Sequence, residues 1–296
     1  MIIEIRAKAL LSGHKQPDPW FQIKYGMNIY RGCEHQCIYC DSRSLCYGIA
    51  DFRDVLVKVN AIERLRDELP RKRLIGIVGT GAMSDPYTFA ERQYGLTGQA
   101  LQVLAAEGFP VHVTTKSDMV LKDLETLAQI ARVRAIVSFT LTTVDDDLAA
   151  RIEPLAPPPS RRLAAMAKLA QAGVEVGALL MPILPFIEDE PEAIRAIVSR
   201  AADAGATYAL AAMGTTMREG SRDWFYARLD ESFPGMRQRY ERAFGLRYEC
   251  PSPRAKELWE AFHDERLRRG IADRLAPYEP HPRQHAPAAG EQLRLL

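Results

Sequence analysis

The stretch Gly32-Cys33-Glu34-His35-Gln36-Cys37-Ile38-Tyr39-Cys40 decides how the rest of the chain is interpreted. It carries three of the five cysteines in the spacing C-x3-C-x2-C, directly after the apolar run Met27–Tyr30, which predicts a strand. Three thiolates on one short loop can converge on one face of an iron–sulfur cube, for which thiolate is the usual ligand. A [4Fe–4S] cube held by three cysteines keeps one iron open for a ligand from outside the protein.

The same cysteines also allow a zinc site, with Cys46 or His35 as the fourth ligand. Structural zinc sites usually combine two separate knuckles, and no second C-x2-C is present. The ligand count therefore favours the iron–sulfur cluster, and a zinc-stabilised barrel with a hydrolytic or binding role is the alternative. A cluster that only transfers electrons would usually have four cysteine ligands.

Outside this loop, short apolar runs alternate with segments of helical spacing. The other runs that predict strands are Leu74–Val78, Val111–Thr115, Ala135–Thr140, Val174–Met181 and Thr207–Ala212. Helices are predicted over Asn60–Leu69, Glu91–Glu107, residues 117–130, Ser160–Ala172 and Pro191–Ala204. Strands that alternate with helices form parallel sheets, so the six βα units predict an α/β fold, either an open sheet or an incomplete barrel. Either architecture places ligands at the carboxyl ends of the strands.

Composition and charge describe an ordinary globular protein. Of the 296 residues, 47% are hydrophobic and 26% are charged, with a formal net charge of +1. No apolar run is long enough to span a membrane, and Met1–Arg6 does not begin a secretory signal, so we expect a cytoplasmic protein without a membrane partner. The near-neutral charge argues against binding of duplex DNA.

The cysteine spacing, with Tyr39 before the third cysteine and a βα array around it, resembles the radical S-adenosylmethionine (SAM) superfamily. That resemblance implies a partial (β/α)6 TIM-type barrel with a [4Fe–4S] cluster on Cys33, Cys37 and Cys40. It implies that SAM chelates the open iron, and that the reduced cluster cleaves SAM to methionine and a 5′-deoxyadenosyl radical that abstracts hydrogen from a substrate. An electron donor such as flavodoxin or ferredoxin is implied as a partner.

On this interpretation the chain has four parts. We predict an N-terminal extension over residues 1–21, a radical SAM barrel over 22–215, a C-terminal helical cap over 216–276 and a disordered tail over 277–296. The helices of the cap are predicted at Arg222–Leu229, Met236–Phe244 and Pro253–Arg269. The proline-rich composition of the last residues is the reason for expecting disorder there.

Polar residues follow the second and third predicted strands. In the stretch Gly79–Tyr87, Ser84 and Asp85 offer acceptors that suit an ammonium group, although Ser-Asp-Pro is also ordinary turn chemistry. Lys116 follows the third strand, where it is either a surface lysine or a cation that neutralises a carboxylate. The superfamily resemblance implies that these three residues contact SAM.

Two further residues are SAM candidates by position. Ser138 is a polar residue in an apolar strand and needs a hydrogen-bond partner, either a ribose hydroxyl or a backbone carbonyl. Tyr39 lies between two cysteines of the motif, where it packs beside the adenine or simply belongs to the core.

The order of these residues is similar to that in a narrower group, the spore photoproduct lyase and DNA repair photolyase-like proteins. The matching stretches are Asp85-Pro86-Tyr87 with Glu91, Lys116-Ser117, and Glu153-Pro154-x-Ala156-Pro157 with Arg161 and Arg162. This likeness implies a nucleic-acid base lesion as the substrate, with Tyr87, Arg161 and Arg162 on the substrate side. Spore photoproduct lyase takes a cysteine hydrogen donor from the loop after its second strand, whereas residues 79–87 contain none. Cys46 is the candidate donor in its place, and a buried structural role is its alternative.

Overall fold

The computed structural model describes residues 1–49, 51–52 and 54–283. Its strands are β1 Ile2–Ile5, β2 Leu11–Gly13, β3 Tyr25–Met27, β4 Tyr30–Arg31, β5 Val55–Lys58, β6 Leu74–Ile75, β7 Val78–Thr80, β8 Val111–Thr115, β9 Ala135–Thr140, β10 Glu175–Leu180, β11 Tyr208–Ala211, β12 Gly214–Thr216, β13 Glu249–Pro251 and β14 His281–Pro282. Its α-helices are α1 Ala61–Glu68, α2 Glu91–Tyr94, α3 Leu96–Ala106, α4 Leu124–Ile130, α5 Asp146–Ile152, α6 Pro159–Gln171, α7 Pro191–Asp203, α8 Ser221–Ser232, α9 Met236–Phe244 and α10 Ala255–Arg269.

The central sheet of the described residues has seven strands in the order β11-β10-β9-β8-β7-β3-β2. From β3 to β11, neighbouring strands pair in parallel, and only β2 joins antiparallel at the edge. Six parallel strands with helical crossovers confirm the predicted α/β fold of the partial (β/α)6 type. The carboxyl ends of the six strands meet at one rim, which is where such folds place their ligands.

The sequence pattern explains why these segments form a buried parallel sheet. Every residue of β9 is buried, as expected for a strand that is covered on both faces. Helices α6 and α7 each begin at a proline that needs no intrahelical N–H bond, and each buries one apolar side against the sheet. No helix among the described residues is both long and apolar enough to cross a membrane.

Some element boundaries differ from the prediction. The apolar run Met27–Tyr30 spans two strands, because Tyr30 pairs with β5 in a separate sheet while Met27 ends β3. The predicted helix Glu91–Glu107 is divided into α2 and α3 at Gly95, whose φ of 60° is left-handed. Apolar spacing marked the buried segments correctly but could not place a change of sheet or a left-handed turn.

The helical cap has the predicted helices, which appear as α8, α9 and α10. Helix α10 packs on α7 of the barrel. Helices α8 and α9 contribute aromatic side chains to a hydrophobic cluster that also contains Cys37 and Tyr39. The cap therefore covers the loop that carries the cysteine motif.

A fully buried polar network lies inside the barrel. The Ser138 hydroxyl lies 2.6 Å from Nε2 of His112 and 2.5 Å from the hydroxyl of Tyr208, and Nδ1 of His112 lies 2.9 Å from the carbonyl oxygen of Phe21. Burial lowers the pKa of His112 to about 4, so the ring is neutral at pH 7. These contacts satisfy polar groups in an otherwise apolar interior.

Residues 271–283, here called the C-terminal strap, run along the amino ends of the barrel strands. Ala272 forms a parallel bridge to Tyr208 at the start of β11, and Nη1 of Arg134, just before β9, donates to the carbonyl oxygen of Ala276. Strand β14 then pairs antiparallel with β6. The part of the predicted disordered tail that the structure describes is therefore bonded to the barrel, and the prediction for residues 284–296 lies outside the described residues.

Candidate active site

A cavity of about 520 Å³ opens at the carboxyl rim of the barrel. It is lined by the cysteine loop (residues 32–40), the loop after β7, the end of β8, Thr140 at the end of β9, and the β12–β13 pair. Because parallel strands end together, three loops that are far apart in sequence meet around one space.

Cys33, Cys37 and Cys40 all line this cavity. Cys33 and Cys37 are buried and Cys40 is half-buried. Burial raises the pKa of the Cys37 and Cys40 thiols. Burial acts in the same direction on Cys33, but the charge and hydrogen bond of His35 outweigh it and hold the Cys33 pKa below its usual value.

The spacing of these thiols bears on which metal group they fit. Among the described residues, no three side chains of His, Cys, Asp or Glu converge where one metal ion could sit. A single zinc ion requires such convergence, whereas a four-iron cube takes each thiolate at a different corner. Three thiols that line one cavity fit such a cube, and its fourth iron would be left for a ligand from outside the protein.

Backbone hydrogen bonds hold the cysteine loop in place from the side of α5. The Ile38 N–H donates to the carbonyl oxygen of Ile152 at 2.9 Å, and the Leu155 N–H donates to that of His35 at 3.1 Å. These two bonds fix the loop midway between Cys33 and Cys37 and directly after Cys37. A cluster ligand set on an irregular loop thus gains a fixed backbone.

Ser84 is a buried polar group without a partner. Its side chain is part of the cavity lining, the residue is 6% exposed, and its hydroxyl has no hydrogen-bond partner within the described parts of the chain. An unsatisfied buried hydroxyl costs about 1–3 kcal/mol unless a ligand pairs with it. The group that occupies this cavity is therefore expected to offer Ser84 a polar atom.

Asp85 connects three parts of the site. Its carboxylate accepts hydrogen bonds from the Thr115 hydroxyl and the Lys116 N–H, each at 2.7 Å, and from the Tyr87 N–H at 2.9 Å. Nδ1 of His35 in the cysteine loop lies 3.5 Å away. The predicted turn is therefore present, and the same carboxylate fixes the loop after β7 to the end of β8.

Lys116 is half-buried, reaches the cavity from the end of β8 and adjoins the buried Glu153. Its Nζ lies 3.9 Å from Oε1 of Glu153 and 5.5 Å from the centre of the Tyr39 ring. Burial would lower the pKa of Lys116, but the charges of Cys37 and Glu153 outweigh it and hold the pKa above its usual value. The lysine is thus a cation inside the cavity wall.

Glu153 is the residue of this group that sequence reasoning missed. It is 1% exposed, it accepts a hydrogen bond from the Tyr39 hydroxyl, and Arg162 lies 2.5 Å from its Oε2. Burial would raise the pKa of its carboxyl, yet the charges of Arg162 and Lys116 hold it below the usual value. The available signal was its place in the proline-rich loop after the fourth strand, which was attributed to the substrate side.

Several predicted residues lie elsewhere. Ser138 is buried in the polar network inside the barrel, one inward-facing position deeper than Thr140, which does line the cavity. Tyr87 is fully buried and its hydroxyl donates to Asp123 at 3.0 Å. Arg161 is exposed and pairs with Asp118 at 2.5 Å.

The cysteines outside the motif also occupy different places. Cys46 is exposed, lies 3.5 Å from Nη1 of Arg218 and is not part of the cavity lining. Cys250 on β13 is buried and its residue contributes to that lining. Sequence reasoning had no basis for placing Cys250, because β12 and β13 pair across more than thirty intervening residues.

Comparisons with known proteins agree with this geometry. The sequence model of the radical SAM superfamily matches residues 27–198. An uncharacterized protein of Mycobacterium tuberculosis is 32% identical over 230 residues, which cover 75% of this chain and 67% of the relative. An uncharacterized protein of Methanocaldococcus jannaschii is 30% identical, with 64% and 70% covered.

Solved structures show the same fold. A spore photoproduct lyase double mutant with bound AdoMet and a dinucleoside spore photoproduct has a TM-score of 0.70 at 16% identity, covering 92% of this chain and 81% of that chain. A radical SAM methyltransferase from Kitasatospora setae has a TM-score of 0.54 at 10% identity, with 82% and 51% covered. Fold, cysteine loop and sequence match lead to one conclusion: the chain belongs to the radical SAM superfamily.

Proposed function

We propose that Cys33, Cys37 and Cys40 hold a [4Fe–4S] cluster and that the cavity beside them holds SAM. The observation that carries this proposal is that one cavity is lined by three thiols, by the half-buried cation Lys116, and by Ser84, whose hydroxyl has no partner among the described residues. When bound, the reduced cluster supplies the electron that cleaves SAM to methionine and a 5′-deoxyadenosyl radical, which abstracts hydrogen from the substrate.

Different residues of the cavity wall bind different groups of SAM. Lys116 pairs with the carboxylate of SAM, and the Ser84 hydroxyl accepts a hydrogen bond from its amino group. Tyr39 forms part of the wall beside the adenine, and Thr140 takes the polar position predicted for Ser138. Asp85 holds the loop after β7 in place and thereby orients Ser84. The apolar remainder of the wall keeps water from a reactive radical.

A nucleic-acid base lesion is the proposed substrate, and a one-electron donor such as flavodoxin or ferredoxin is the proposed partner. The substrate proposal is supported by the likeness of fold to spore photoproduct lyase. Arg161 pairs with Asp118 but is exposed, and we propose it as the contact to a substrate phosphate; Arg162 and Tyr87 are engaged with buried protein groups. Cys46 as hydrogen donor stays a prediction. Five free cysteines and a redox cluster suit the reducing cytoplasm.

The test is release of 5′-deoxyadenosine from SAM by anaerobically reconstituted protein reduced with dithionite. We expect release that requires the loaded cluster, and UV-irradiated oligonucleotide is expected to increase it. Colourless protein containing one zinc and no response to SAM would support the zinc alternative. An intact cluster that forms no 5′-deoxyadenosine, with or without irradiated oligonucleotide, would contradict the proposal.

Ser84→Ala is expected to change protein stability and SAM binding in opposite directions. Removing an unpartnered buried hydroxyl raises the free energy of unfolding of the SAM-free protein by up to about 1 kcal/mol. The same change weakens SAM binding about tenfold, because one hydrogen bond to the ligand is lost. Urea denaturation and equilibrium dialysis with SAM measure the two effects.

Ser221→Ala is the matched control for this prediction. Ser221 is equally buried, but its hydroxyl donates to the Arg218 carbonyl oxygen and accepts from the Arg218 N–H. Its loss is expected to lower the free energy of unfolding by about 1 kcal/mol and to leave SAM binding unchanged. If Ser84→Ala behaves like Ser221→Ala in both assays, the SAM contact of Ser84 is wrong.

A further inference from the structure

The charges of one group of side chains beside the cavity do not cancel. The group consists of Glu153, Arg162, Lys116 and Tyr39, here called the Glu153 cluster. It contains two cations and one carboxylate, because the Tyr39 hydroxyl is a neutral donor to Glu153. Charges withdrawn from water are expensive unless paired, so a surplus charge that includes the half-buried Lys116 requires an explanation.

The two cations differ in how they are held. The Arg162 guanidinium lies 2.5 Å from Glu153 and also donates to the carbonyl oxygens of Pro157 and Thr140 at 2.7 and 3.0 Å. The Lys116 ammonium lies 3.9 Å from Glu153, beyond hydrogen-bond distance, and reaches the cavity. Glu153 is therefore matched by Arg162, and the surplus charge resides on Lys116.

Without Arg162 the Glu153 cluster would have no surplus positive charge. The charges of Glu153 and Lys116 would then cancel each other, and an anion in the cavity would compete with Glu153 for the lysine. A buried carboxylate close to an anion site would also repel the anion directly. The second cation removes both obstacles.

We propose that Arg162 is the buried counter-charge of Glu153, which leaves Lys116 free to bind the carboxylate of SAM. This inference rests on the proposed function, since the anion is SAM. Arg162 acts through Glu153 and Lys116, so it is a positioning residue. The arginine that the sequence placed on the substrate side therefore sets the charge of the cofactor site.

Four proteins with three different charges in the Glu153 cluster test this role. The cluster carries +1 in the wild type, 0 in Arg162→Met, +2 in Glu153→Gln and +1 in the double variant. Equilibrium dialysis of SAM against the four proteins, each loaded with the iron–sulfur cluster, is the first measurement. We expect Arg162→Met to weaken SAM binding about tenfold or more, Glu153→Gln to bind at least as tightly as the wild type, and the double variant to return to within about threefold.

The midpoint potential of the iron–sulfur cluster is the second measurement. A lower local charge makes reduction harder, so the potential is expected to fall in Arg162→Met, to rise in Glu153→Gln and to return in the double variant. A loss of packing would not lower the midpoint potential in Arg162→Met, raise it in Glu153→Gln and restore it in the double variant. Lys168→Met, which removes an exposed cation from the same helix α6, is expected to change neither measurement.

Arg162→Lys keeps the inference testable if Arg162→Met folds poorly. The lysine retains the charge but loses the fork of donors to the carbonyl oxygens, and it is expected to bind SAM like the wild type. SAM binding that is weaker in the double variant than in either single variant, or as weak in Arg162→Lys as in Arg162→Met, would overturn the charge assignment. A wild type that neither binds nor cleaves SAM refutes the proposed function, and the inference falls with it.

Discussion

Replacing Cys37 with alanine is expected to abolish cluster assembly and SAM cleavage while the barrel stays folded. Cys37 is the middle ligand of the motif and lines the cavity, so its loss removes one of three corners that hold the cube. Iron and sulfide content, the visible absorption of the cluster and 5′-deoxyadenosine release should all fall to the level of a sample without protein. The magnitude is large because only two of the three motif thiolates would remain to hold the cube.

The fold is expected to survive because Cys37 contributes little to the core beyond one small side chain. Truncating it to alanine costs about 1 kcal/mol of unfolding free energy, and circular dichroism should be unchanged. Cys46→Ser is the matched control for iron and sulfide content, since that sulfur is exposed and lies outside the cavity lining. A Cys37→Ala protein that still contains the cluster and cleaves SAM would falsify the ligand assignment.

Gly81→Ala is expected to have the second largest effect. Gly81 has a φ of 101°, and a Cβ there would collide with the carbonyl oxygen of Thr114 on the neighbouring strand. Backbone cannot move aside as a flexible side chain can, so the loop after β7 must separate from the end of β8. We expect the free energy of unfolding to fall by about 3 kcal/mol and SAM binding to be lost, because Ser84 and Lys116 no longer face the same space.

Gly108→Ala is the control that separates the steric clash at Gly81 from the backbone strain of a positive φ. Gly108 also has a positive φ, 70°, but no atom lies within 4 Å of the position its Cβ would take. Its replacement is expected to lower the free energy of unfolding by only about 1 kcal/mol and to leave SAM binding unchanged. Urea denaturation and equilibrium dialysis measure both variants. If Gly81→Ala and Gly108→Ala lose the same free energy of unfolding and the same SAM affinity, the close approach of Gly81 to β8 is unimportant.

The sequence predicted the features that depend on local pattern. Buried strands such as Ala135–Thr140 are continuous apolar runs, and the cysteine spacing is confined to one loop, so both are readable in a short window. Lys116 was recognisable because a lysine at the end of an apolar strand needs a partner. The structure brings Ser84, Asp85 and Lys116 together around one cavity, as their positions after neighbouring strands led us to expect.

The features that the sequence could not predict depend on how deep a side chain lies in the barrel and on contacts with residues that are distant in sequence. Ser138 and Thr140 occupy the same strand and share a face, so no pattern shows which of them reaches the rim. Arg161 and Arg162 are neighbours, yet one is exposed and the other is buried, because only position 162 points toward Glu153. Their opposite environments follow from the rotation of α6 against the barrel, which local composition does not contain.

The C-terminal strap has a consequence for how the protein is made. The cysteine loop leaves the ribosome early, but the strap that bonds to the amino ends of β11 and β6 is synthesised more than two hundred residues later. The strap closes the amino end of the barrel, opposite the rim that carries the cysteines. We therefore expect loading of iron and sulfide at the carboxyl rim not to depend on completion of the strap.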